Sequence, residues 1–153
     1  MTAAPQEPAG DRAGWDLSTA VVLFHDALGA RLGVGATDHK ALGLLRRNGP
    51  MTLSAIAAGL GVVAGAATAV VDRLEAAGLV ERFRDPGDRR RVLVRPLSDA
   101  APAERDAYAR LGRETAAFMA GLGEDERRAV LDYIALTRRL LEEETARLRD
   151  ADA

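Results

Sequence analysis

Apolar residues recur along this chain with two periods, and each switch of period marks a new element. Leu17, Val21, Phe24 and Leu28 fall four, three and four residues apart, one face of a helix predicted over 16–32. Gly33 and Gly35 break it. Thr37 stands at the N-cap of a second helix, 38–48, with Leu42 and Leu45 on its inner face. Asn48-Gly49-Pro50 ends that helix, because Pro50 disfavours helical geometry at Gly49. Thr52 caps a third, short helix with Leu53, Ile56 and Leu60 inward, and Gly59-Leu60-Gly61-Val62 supplies a turn. A fourth helix, about 64–77, carries Ala67, Val70, Val71 and Leu74 on one face and stops at Gly78. The period then shortens to two. Leu79 to Arg84 alternates apolar and polar, and Arg90 to Arg95 alternates again through Val92 and Val94. Asp85-Pro86-Gly87-Asp88 between them is turn chemistry. Two long helical patterns finish the chain: Tyr108, Leu111, Thr115, Phe118 and Leu122 in 102–122, then Val130, Ile134, Thr137, Leu141, Thr145 and Leu148 in 124–149.

Two helices joined by a short glycine-containing turn form a helix-turn-helix, and a hairpin directly after the second helix is a wing. The fold class expected is mainly α with a small β-hairpin wing: a winged helix-turn-helix plus N- and C-terminal dimerisation helices. The parts divide as a disordered tail over 1–14, a dimerisation helix over 15–36, the winged helix-turn-helix over 37–98, and dimerisation helices over 99–153. The first, fifth and sixth helices carry more apolar surface than one small domain covers, so a homodimer is expected.

Composition narrows the chemistry. The chain of 153 residues is 48% apolar and 29% charged, enough for a core and a solvated surface. It has no cysteine, which excludes disulfides, thiolate catalysis and Cys-ligated zinc. Two histidines, His25 and His39, exclude a histidine-rich metal cluster, and no cofactor or metal is expected. No Ser-His pairing, phosphate loop or metal motif marks an enzyme, so no catalytic residue is assigned. The start of the chain lacks the basic and apolar regions of an export signal, and no apolar run would span a bilayer, so a cytoplasmic protein is expected. Net charge is −2, yet residues 82–95 hold six arginines against two aspartates, a local +4. Residues 101–153 hold nine arginines against twelve acids, a local −3. Positive charge is therefore concentrated on the hairpin, where phosphate would sit.

Val71-Asp72-Arg73-Leu74-Glu75-Ala76-Ala77-Gly78-Leu79-Val80-Glu81-Arg82, followed by Asp85-Pro86-Gly87-Asp88-Arg89-Arg90, resembles the signature of MarR regulators nearly letter for letter. Upstream, Thr37-Asp38-His39-Lys40-Ala41-Leu42 and Gly49-Pro50-Met51-Thr52-Leu53 fall where that family places its second and third helices. The resemblance spans roughly residues 15–149. It implies a homodimeric, sequence-specific DNA-binding regulator, a repressor released by a small-molecule effector, acting on double-stranded DNA at a pseudo-palindromic operator. The alternative is a winged-helix module for protein contacts with weak or no DNA binding, which the basic wing argues against.

A recognition helix presents its N-terminal half to base edges in the major groove. Here those residues are Gly65, Thr68 and Ala69, with Arg73 further along near phosphate. By resemblance Arg90 is the wing-tip residue, flanked by Arg89 and Arg91, with Arg84 on the first strand, and an arginine there suits a narrow minor groove. Asp88 has two readings: a brace for Arg90 or Arg73 through an ion pair, or a plain turn residue. One departure stands out. Relatives carry Thr or Ser where this chain has Val63 and Ala64, so the helix lacks a side-chain cap worth about 1 kcal/mol and presents few hydrogen-bonding groups. Trp15, His25, Asp26 and Tyr108 are candidates for lining an effector pocket of the family type, or else core and interface residues. His39 reads as a solvated helix residue, Glu142-Glu143-Glu144 as an exposed face, and Arg138-Arg139 as surface or dimer contact.

Overall fold

The computed structural model describes residues 9–150. Six helices and one hairpin follow in the order α1 (Ala9–Ala30), α2 (Ala36–Asn48), α3 (Leu53–Leu60), α4 (Ala64–Ala76), β1 (Val80–Arg84), β2 (Val92–Pro96), α5 (Pro102–Gly121) and α6 (Glu124–Asp150). They fall into two units, one up to Ala100 and one from Ala101.

The first unit is built around the wing motif. Ala41, Leu42 and Leu45 of α2, Ile56 of α3, Val70, Val71 and Leu74 of α4, Val80 of β1 and Val94 of β2 form one buried cluster. Every apolar position expected to face inward on α2 and α4 does so. The chain bends by 105° between α3 and α4, within the range of a helix-turn-helix. Gly61 makes that bend with φ +61°, a left-handed conformation that glycine adopts without penalty. Thr52 caps α3 as expected, accepting from the Ala55 N–H at 3.2 Å.

β1 and β2 pair antiparallel, with Arg82 opposite Val94 and Arg84 opposite Val92. A contact invisible to periodicity extends the hairpin: Met51, just before α3, exchanges two backbone hydrogen bonds with Val94, at 3.0 and 2.8 Å. The base of the wing is thus fastened to the turn between α2 and α3.

Three boundaries differ from expectation. Residues 9–14, expected in the tail, are the start of α1; residues 1–8 of that tail lie outside the described residues. Ala9 and Ala13 favour helix and no proline interrupts the stretch, so α1 extends beyond its apolar stripe. The N-cap of α2 is Gly35, not Thr37. Asp38, three residues on, reaches back to the Gly35 N–H at 3.3 Å, and this moves the start of the helix two residues earlier. Finally, β2 begins at Val92, so Arg90 and Arg91 belong to the loop rather than to the strand.

On α1, Leu28 is buried and Phe24 half-buried, whereas Leu17 and Val21 of the same stripe are exposed. In the second unit, Arg127 of α6 donates to the carbonyls of Met119 and Leu122, pinning the turn into α6. Tyr108, Leu111 and Phe118 of α5 and Ile134, Leu141 and Leu148 of α6 remain exposed, Phe118 and Leu141 at 64% each.

Candidate nucleic-acid interface

The wing loop is held by its own aspartates. Asp85 accepts from the Gly87 N–H at 2.9 Å, and Asp88 from the Arg90 N–H at 3.0 Å. The Arg91 N–H closes on the Asp88 carbonyl at 2.9 Å. Asp88 is thus engaged as a turn residue through backbone, and Arg73 has another partner. Arg84 donates to the Arg89 carbonyl at 2.8 Å and stiffens the loop from β1.

The arginines of the hairpin divide by their partners. Arg82 binds Asp72 at 2.6 Å and also Glu75, so β1 is tied to α4. Those hydrogen bonds outweigh partial burial and raise its pKa. Arg95 binds Glu81 at 2.5 Å and lies 4.7 Å above the Phe83 ring. Arg91 stands 3.7 Å from Asp85. Arg84, Arg89 and Arg90 have no carboxylate partner among the described residues, and all three are exposed. The uncompensated charge is therefore concentrated at the loop.

The recognition helix α4 begins at Val63 without a side-chain cap bond, as the missing hydroxyl implies. Its outer side carries Gly65, Thr68 and Ala69, all exposed. The Thr68 hydroxyl donates back to the Ala64 carbonyl at 3.1 Å. Arg73, expected near phosphate, is gripped by Asp38 of α2 through two bonds of 2.9 and 2.6 Å, which raise its pKa. The Asp38 side chain is 4% exposed. Sequence reading missed this pair, because 35 residues separate its members and neither has a periodic signature.

His39 also departs from expectation. It is 1% exposed rather than solvated, and its Nδ1 lies 3.2 Å from Nδ1 of His25 across the α1–α2 junction. Burial, then Lys40 and His39, lower the pKa of His25. Of the proposed effector residues, Trp15 is 75% exposed and Asp26 is exposed. Tyr108 lies on α5, in the second unit. Within the first unit, Trp15, His25 and Asp26 lie outside the lining of the concave surface formed by Gly33–Asp38, Arg73, Ala76 and Ala77. Glu142 and Glu144 of the acidic run pair with Arg138 and Arg147 on the exposed side of α6.

Residues 35–92, from the N-cap of α2 to the first residue of β2, match the model of the MarR family. The uncharacterized HTH-type transcriptional regulator YcgE of Bacillus subtilis is 37% identical over 87% of this chain and 86% of its own length. The chain belongs to the MarR family. The fold agrees: a MarR protein from Peptoclostridium difficile superposes with a TM-score of 0.69 over 97% of each chain at 18% identity. A point mutant of MepR from S. aureus, bound to an oligodeoxyribonucleotide, gives a TM-score of 0.53 over 88% of this chain and 99% of its own, at 17% identity. As a member of this family the chain is a DNA-binding transcriptional regulator and not an enzyme. Among the described residues no single helix is long and apolar enough to cross a membrane.

Proposed function

We propose that this chain is a sequence-specific repressor that binds a pseudo-palindromic site on double-stranded DNA as a homodimer. The observation that carries the reading is the wing loop, where Arg89 and Arg90 stand exposed and unneutralised on a hairpin bonded to the recognition helix through Arg82. Gly65, Thr68 and Ala69 face the major groove, and Arg84, Arg89, Arg90 and Arg91 supply the wing contact. Asp88 shapes the loop, and Arg73 holds α4 against α2. The exposed apolar stripes of α1, α5 and α6 support a second copy as their cover. MepR, whose structure contains an oligodeoxyribonucleotide, gives the same reading of the fold. Release by a small-molecule effector, and action in the cytoplasm, extend the family resemblance.

An electrophoretic shift of the DNA upstream of the protein's own gene, read against salt, tests this. A log–log salt slope of about −0.9 per phosphate contacted is expected for a basic wing. A flat response between low and physiological salt contradicts the wing contact and favours the protein-interaction module.

A further inference from the structure

The sequence from Val62 to Val71 contains no charged residue and one hydroxyl, that of Thr68. That hydroxyl's proton is already given to the Ala64 carbonyl. The next two residues of α4 able to meet a base edge, Asp72 and Arg73, are held by Arg82 and Asp38. What the N-terminal half of the helix exposes is therefore methyl groups, those of Ala64, Ala66, Thr68 and Ala69. Gly65 lies between them with open space where a side chain would be, so the backbone can approach closely.

Base pairs differ in what they offer such a surface. In the major groove guanine shows two acceptors and cytosine an amino donor, whereas thymine shows a C5-methyl group beside one acceptor. Covering a donor or acceptor with methyl groups strips its water and returns no hydrogen bond. Covering a thymine methyl removes apolar surface from water on both sides.

We propose that α4 reads its half-site through thymine methyl groups, with Ala66, Ala69 and the methyl of Thr68 as the specificity-determining contacts. The inference rests on the proposed DNA-binding reading and adds the chemistry that α4 recognises. It implies half-sites carrying thymine under α4, with no guanine or cytosine edge read by a side chain of that helix.

The first arm of the test alters the DNA and not the protein. Duplexes selected from a random-sequence pool by the full chain are resynthesised with each thymidine of one half-site replaced in turn by deoxyuridine, which lacks only the methyl. Binding is followed by fluorescence anisotropy. At least one replacement in the half-site should weaken binding roughly fourfold, the factor that one methyl's burial contributes. Replacements outside the half-sites should do nothing. In Ala66→Gly and Ala69→Gly, at least one of these sensitivities should disappear, with melting curves recorded for both variants. If binding stays selective but no deoxyuridine changes it, the methyl reading is overturned while the regulator assignment stands. If no sequence is enriched at all, both are overturned.

Discussion

Arg90 is where charge, exposure and freedom from a partner coincide. Its backbone is fixed by Asp88 at 3.0 Å, yet its guanidinium has no carboxylate partner among the described residues. An arginine enters a narrow groove at lower desolvation cost than a lysine, because its charge is weakly hydrated. Arg90→Ala should weaken binding to a selected duplex by at least tenfold, about 1.4 kcal/mol, with melting temperature unchanged. Arg139→Ala, on the exposed side of α6, should change binding little. The comparison by equilibrium titration separates a wing contact from general loss of positive charge. His25 yields a different expectation. Its lowered folded-state pKa means that the unfolded chain takes up the proton first as pH falls below about 6.5. The stability contributed by the neutral ring is thus present above that pH and lost as pH drops through the folded value. Thermal melts from pH 7.5 to 5.5 should fall more steeply for the wild type than for His25→Gln, and equal slopes would contradict the burial of this junction.

Among the elements, α4 starts without a side-chain cap bond, as α5 does at Ala101. Val63 occupies the N-cap with the extended backbone that a cap requires, φ −70° and ψ 156°, but its side chain has no oxygen to accept an N–H. Val63→Ser should stabilise the protein by about 0.5–1 kcal/mol in urea denaturation. No gain would mean that the first turn of α4 is already satisfied in another way. The elements themselves were legible in the sequence because burial imposes period: Ala67, Val70, Val71 and Leu74 announce a helix, and the alternation after Gly78 announces a strand. What periodicity could not reveal is pairing between distant polar residues. Asp38 with Arg73, Arg82 with Asp72 and Glu75, and His25 with His39 all join elements through side chains whose positions carry no repeat. The Met51–Val94 bridge escaped for a related reason, since one residue pair leaves no alternation to detect. Arg82 was counted with the free charge of the wing although it is neutralised. The family motif marked its importance without giving its role, which is to join β1 to the recognition helix.

At the scale of the molecule, the wing unit closes its own core, whereas α5 and α6 leave apolar stripes in solvent. Phe118 and Leu141 lie on those stripes. If a second copy covers them, Phe118→Glu or Leu141→Glu should yield a monomer in light scattering at micromolar concentration and lose DNA binding with it. A glutamate variant that stays dimeric would place the interface elsewhere.

The central claim is that the helix-turn-helix and its wing together recognise a DNA sequence. The direct measurement is the equilibrium affinity of the full chain, at physiological salt, for a selected duplex and for the same duplex with its half-sites scrambled. A specific regulator should prefer the selected duplex by a factor on the order of 10³ or more, with two chains bound to each. Equal affinity for both duplexes would contradict the account.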